Sequence, residues 1–193
     1  MRFGTGVFHA KLGAMERIAL VPAPPRAYVA LVLLGLLLPA AVVLGAAGHA
    51  HALLAPAIWV TLSVLVVVTL TLLSAMARGD LLLGPHGVEV RSTFFARSIA
   101  WCDLDADVQV VRRAATPDAA LRLRTAGFGL PGLASGWFRT RGGERVLAWI
   151  TADDLLRVPT RLGFTLLLSA RDPGAARDAL VARIRAAAEA PDQ

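Results

Sequence analysis

Between Arg26 and Arg78 the chain has no Asp, Glu, Lys or Arg, so 51 consecutive residues carry no formal charge. About 20 residues of helix, rising about 1.5 Å each, cross the hydrocarbon of a bilayer. Two apolar runs inside the stretch are long enough: residues 27–47, with 21 residues, and 52–77, with 26. Gly48-His49-Ala50-His51 between them is short, and the expectation is a transmembrane helical hairpin. Pro39 and Pro56 are tolerable there because neighbours can satisfy the freed carbonyls. Thr61, Ser63, Thr69, Thr71 and Ser74 can bond backbone or partner helix.

The flanking charges predict the orientation. Arg2, Lys11, Arg17 and Arg26 precede the hairpin against Glu16 alone, Arg78, Arg91 and Arg97 follow it, and the connecting loop has no basic residue. Basic residues concentrate on cytoplasmic loops, which places both termini in the cytoplasm of a multi-pass inner (plasma) membrane protein. Ala50-His51-Ala52 has the small-x-small form of a signal-peptidase site, but a secretory signal has an apolar core of about 7–15 residues, against 21 here. Residues 1–26 are a cytoplasmic lead with two open readings. Phe8, Leu12, Met15 and Ala19 share a helical face that suits an interfacial helix; equally, Met15 is the start of the chain.

From Arg78 onward the chain has 16 Arg against 13 acidic residues, a net charge of +3, which is an ordinary soluble surface. Lys11 is the only lysine, and GC-rich codon usage explains the Arg and Ala at least as well as phosphate binding does. Cys102 is the only cysteine, so no internal disulfide forms. Short alternating apolar runs separated by turn residues predict antiparallel strands over 80–83, 88–92, 97–104, 107–112, 120–125, 137–141, 144–151, 155–159 and 164–169. A Gly/Pro-rich loop is expected over 126–136. Asp172 and Pro173 then open an amphipathic helix whose Ala176, Leu180, Ile184 and Ala188 recur at intervals of four.

Residues 121–180 carry Gly127-Phe128-Gly129-Leu130-Pro131-Gly132, Gly136-Trp137-Phe138, the Gly142-Gly143 turn, Val158-Pro159-Thr160, Gly163, Ser169 and Asp172-Pro173. This pattern resembles the bacterial pleckstrin-homology-like domain family of membrane-anchored proteins, and extends more loosely back to Leu81 through Ile99-Ala100-Trp101-Cys102-Asp103-Leu104. The resemblance implies an α+β fold: the hairpin at 27–77, then a small antiparallel β-barrel or sandwich over 78–190, capped by the C-terminal helix. It implies no assigned activity.

Several motifs fail their chemistry. Gly127-x-Gly129-x-x-Gly132 matches a dinucleotide fingerprint in letters, but that site needs a helix to follow the loop, and residues 133–140 read as loop and strand. Asp103, Asp105 and Asp107 alternate like a calcium loop, yet Val108 and Ala114 stand where Gly and Glu are required; a strand edge with acids facing water is expected instead. His49 and His51 lack a third and fourth metal ligand nearby. Cys102 reads as a small core residue, and Ser169 has no evident His partner. No charge lies within the membrane helices, which argues against an ion pathway.

The expectation is therefore a non-enzymatic module, without cofactor or metal, whose partners are the bilayer and a membrane or cytoplasmic protein, and not nucleic acid. Arg122, Arg124, Arg139, Arg141, Gly129, Pro131 and Trp137 form the candidate binding surface, with Arg122 and Arg124 on one strand face and Arg139 and Arg141 on another. Two alternatives stand beside it: anionic-lipid reading through those Arg residues, and an accessory role in a membrane enzyme or transporter, with packing through Gly35, Gly45, Ser63 and Ser74.

Overall fold

In the computed structural model, which describes residues 16–47, 55–76, 79–92, 95–113 and 121–189, the uncharged stretch becomes two helices. Helix α1 covers residues 25–47: Pro25–Val32 is α-helical, Leu33–Leu37 is a π-turn, and Leu38–Ala47 is α-helical again. Pro25 fits the first position, where its missing N–H would have no partner anyway. Pro39 accounts for the π-turn, because it has no amide to offer the carbonyl of Gly35; the Leu38 amide bonds Leu33, five residues back. Helix α2 is Ala55–Met76. The buried Thr69 hydroxyl lies 2.8 Å from the Leu65 carbonyl of its own helix and 3.5 Å from that of Gly35 across the pair. Spans Pro25–Gly45 and Pro56–Met76 are long and apolar enough to cross a membrane, with mean hydropathies of 2.6 and 2.3, and only 6% of each is buried in the protein. The connection, with His49 and His51, lies outside the described residues, as do His9 and residues 1–15.

The chain before α1 does not make an interfacial helix through Ala19. Glu16–Ala19 is a strand, β1, and it pairs antiparallel with β2 (Asp80–Leu83) in the register Ala19 to Asp80 and Ile18 to Leu81. Strands β3 (Gly87–Arg91) and β4 (Ala96–Ala100) complete a four-stranded antiparallel sheet in the order β1-β2-β3-β4. Its inner face buries Leu81, Leu83, Val88, Val90 and Ile99. The strand expected over 97–104 ends early: Trp101–Asp103 is a 3-10 turn that swings the indole inward, where Nε1 donates to the Gly84 carbonyl at 3.2 Å.

The second sheet has six strands: β5 (Gln109–Arg112), β6 (Leu121–Leu130), β7 (Leu133–Thr140), β8 (Arg145–Ile150), β9 (Asp154–Pro159) and β10 (Thr165–Leu168), in the order β5-β9-β10-β8-β7-β6. The expectation of a wholly antiparallel arrangement is corrected here. Strand β10 inserts between β9 and β8 and runs parallel to β8, with Leu166 opposite Leu147. Both strands are buried on both faces, so their sequences read as continuous apolar runs rather than alternation. One face, with Leu147, Trp149, Leu156, Val158, Leu166 and Leu168, packs into the main core; the other holds a smaller cluster of Phe138, Val146, Ala148, Ile150, Leu155 and Leu167.

Helix α3 (Pro173–Glu189) closes the fold. Asp172 caps it by accepting the Ala175 amide at 2.9 Å. Ala176, Leu180 and Ile184 are buried in the main core, and burial of each of the larger two contributes about 1.5–3 kcal/mol. The chain is thus α+β, with two apolar helices, two sheets and a C-terminal helix. Val21, at the exit from β1, ties the helices to the second sheet: its amide donates to Ser169 at 2.7 Å, and its carbonyl accepts from Trp149 Nε1 at 3.0 Å and Thr151 Oγ1 at 2.9 Å.

Candidate functional site

Residues 126–136 are not a loop. Strands β6 and β7 run through them as one long hairpin that turns at Pro131-Gly132. Gly127 and Gly136 face each other across the pair with φ of +138° and +121°. A Cβ on Gly127 would overlap the Ser135 carbonyl, and one on Gly136 the Ala126 carbonyl, so the glycines permit a close strand approach that the sequence presents as loop composition. The G-x-G-x-x-G letters therefore span a strand and a turn, with a strand rather than a helix following.

The hairpin divides the candidate surface. Gly129 and Pro131 are exposed near its tip, while Arg122, Arg124, Arg139 and Arg141 are exposed towards its other end. The separation runs from five residues, Arg124 to Gly129, to eight, Pro131 to Arg139, or roughly 17–27 Å of strand. Shifts of register on either side of Leu123 and Arg124 break the simple alternation of β6. Arg124 consequently pairs with Phe138, and Leu123 pairs with Arg139, so Arg124 and Arg139 take opposite faces; Arg141 lies in the turn after β7.

Arg139 stands directly opposite Arg145 of β8. Like charges in that position destabilise a sheet, and neither Arg139, Arg141, Arg122 nor Arg124 has an acidic partner among the described residues. Six other arginines are matched, Arg17 with Asp80, Arg91 with Glu89, Arg112 with Asp154, Arg157 with Glu144, Arg177 with Asp178 and Arg183 with Glu16; what sets the β6–β8 arginines apart is the direct opposition of Arg139 to Arg145. In the Glu89 pair the hydrogen bond, then the carboxylate's charge, holds the Arg91 pKa above its ordinary value. Trp137 is half-buried, edge-on to Phe164 with ring centroids 5.1 Å apart, and Arg145 lies over its ring at 5.3 Å. The sequence gives no sign of Arg145's place, because cross-strand register is invisible without the fold.

The remaining candidates take structural places. Cys102 is exposed in the 3-10 turn rather than buried in a strand, since Trp101 takes the inward position. Asp103 closes that turn and Asp105 and Asp107 follow outside any strand, which corrects the acidic strand edge; Asp107 accepts from Gln109 Nε2 at 2.8 Å. Ser169 is fully buried, and its Oγ accepts the amides of Thr151 and Ala152 at 3.0 and 3.1 Å. Thr165 and Arg157 both donate to Glu144. No group of three or more His, Cys, Asp or Glu is placed to hold a metal among the described residues. No protein-family model matches the chain, and no curated protein or solved structure is detectably similar to it.

Proposed function

We propose that the protein is a membrane-anchored, non-enzymatic binding module of the pleckstrin-homology-like kind, whose basic β6–β8 end receives an acidic segment of a partner protein at the cytoplasmic face. The observation that carries it is the like-charge pair Arg139–Arg145, with Arg122, Arg124 and Arg141 close by in sequence and without an acidic partner among the described residues; Glu144, in the β7–β8 turn beside them, is engaged by Arg157 and Thr165. Folding concentrates positive charge there at a cost in stability, and an acidic ligand relieves that cost.

The anchoring rests on three supports. Leu34, Leu38, Val42, Val60, Val67 and Leu70 are all more than half exposed on α1 and α2, and lipid is the solvent that tolerates such a surface. Tyr28 near the start of α1 and Trp59 near the start of α2 suit the two interfaces of a bilayer. The register Ala19 to Asp80 brings the chain leaving β1 and the chain entering β2 to one end of the sheet, so whatever lies between goes out and returns. The basic residues on that side favour a cytoplasmic domain and cytoplasmic termini.

Leu123, exposed between Arg122 and Arg124, also suits an anionic membrane surface, and one experiment separates the two readings. A benzophenone residue replaces Leu123 in the full chain in its native membrane. A discrete protein adduct that disappears with Arg139→Glu and Arg122→Glu supports the proposal. An adduct with phospholipid alone replaces it with lipid reading, and no charge-dependent adduct of either kind overturns both.

A further inference from the structure

An apolar cavity of about 390 Å³ lies where the helix pair meets the β6–β7 hairpin. Leu31, Leu72 and Met76 of the helices form one wall, and Phe95, Phe128 and Leu130 the other. Arg26 sits close to its rim. Its guanidinium lies against Gly132, two residues beyond Leu130, where any Cβ would overlap it. Along α1, Arg26 precedes Leu31 by five residues, about 7.5 Å of helix, and it has no acidic partner among the described residues.

We propose that this cavity takes one acyl chain of an anionic phospholipid, with the phosphate against Arg26. A polar group inserted among these side chains would lose its hydrogen bonds to water without replacement, so the inserted part of the ligand is hydrocarbon. One turn beyond Leu31, on the neighbouring face of α1, Leu34 is exposed, so a chain enters sideways from the bilayer without crossing water. The volume falls within the roughly 300–1,000 Å³ of small-molecule sites. The lone cation at the rim selects the headgroup, and the glycine turn leaves the guanidinium room to lie beside it.

This inference rests on the membrane anchoring proposed above, and its test distinguishes the two failures. The full-length protein is placed in phosphatidylcholine nanodiscs containing phosphatidylglycerol, with one lipid at a time carrying a diazirine in mid-chain. Phosphatidylglycerol is expected to label Phe95 and Phe128 about fivefold more than phosphatidylcholine does, the factor one Arg near anionic lipid supplies. Leu72→Trp and, from the opposite wall, Leu130→Trp fill the cavity and remove that labelling while Val60 and Val67 stay labelled. Arg26→Gln brings the two lipids to parity. Labelling confined to the outer faces of α1 and α2 overturns the cavity assignment, and equal labelling of Phe128 by both lipids overturns the part given to Arg26. No label on Val60 or Val67 overturns the anchoring itself, and the cavity proposal with it.

Discussion

Gly79 links α2 to β2, and it sits against the indole of Trp149: a Cβ there would lie 2.6 Å from Cζ2 and 2.7 Å from Cε2. The ring cannot yield, because Trp149 is fully buried and its Nε1 is committed to the Val21 carbonyl. Gly79→Ala is therefore expected to destabilise the fold by about 1–3 kcal/mol, as overpacking of a filled core does. Thermal unfolding of the full chain in detergent measures it, and an unchanged midpoint refutes it. Arg139 gives the opposite sign. Arg139→Glu replaces a like-charge cross-strand pair by an attractive one and is expected to raise stability by about 0.2–1 kcal/mol, measured in the same way, while it removes the protein adduct at position 123. A rise in stability with loss of binding is the signature of a charge kept for a ligand; a fall would make Arg139 structural. At this scale the sequence discloses residue type and little else. The Arg residues of β6 and β7 are legible as candidates, whereas the opposition of Arg139 to Arg145 depends on a register that only the fold supplies.

Elements were legible where a local rule specifies them. The Gly142-Gly143 and residue 161–163 turns, the Asp172 cap and the buried Ala176, Leu180 and Ile184 of α3 follow from turn chemistry and helical periodicity, whereas Ala188, expected to continue that stripe, is exposed. Elements were lost where tertiary contact overrides composition. Five residues of β6 and four of β7 lie in a segment whose four glycines and one proline read as loop, yet paired glycines are what allow these strands to approach. Pro39 and Gly35 show the reverse case, a local irregularity with a foreseeable neighbour. The π-turn brings Gly35 to Thr69, where a Cβ would meet Thr69 Oγ1 at 3.9 Å and Leu31 Cδ1 at 3.4 Å. A methyl group fits there, but a branched side chain does not. Gly35→Leu is expected to separate α1 from α2, whereas Thr69→Ala, which removes only a weak interhelical contact, costs about 0.6 kcal/mol. Unfolding in sodium dodecyl sulfate ranks the two; equal effects would mean the helices do not pack through Gly35. Since Gly35 is used within the pair, an accessory subunit docking on these helices would meet the exposed Ser63 and Gly45 instead.

At the scale of the molecule, the two apolar helices interrupt a sheet rather than preceding a domain. A boundary at Arg78 follows naturally from composition, because charge returns there, but composition cannot reveal that a four-residue strand on the far side of 51 uncharged residues completes the fold. Strand β1 covers the edge of β2, and Val21 supplies partners to Trp149, Thr151 and Ser169. A soluble fragment that begins at Gly79 loses both. It exposes β2 as an unpaired edge, a template for aggregation, and leaves the Trp149 N–H without its acceptor, at a cost of about 1–3 kcal/mol for a buried donor. The remedy can be built from the register. Packed helices lie about 8–10 Å apart, and six flexible residues span roughly 14 Å, so a six-residue Gly/Ser linker can join Pro24 to Gly79 in place of the helix pair. The fragment 16–24–linker–79–193 is expected to be monomeric and to melt cooperatively, while 79–193 alone aggregates or melts at a markedly lower temperature. Circular dichroism and light scattering on the two fragments decide it. Equal melting would make β1 an ornament of the domain. The expected difference would make β1 and Val21 the mechanical link through which a ligand bound at the β6–β8 end is held in fixed relation to the helices.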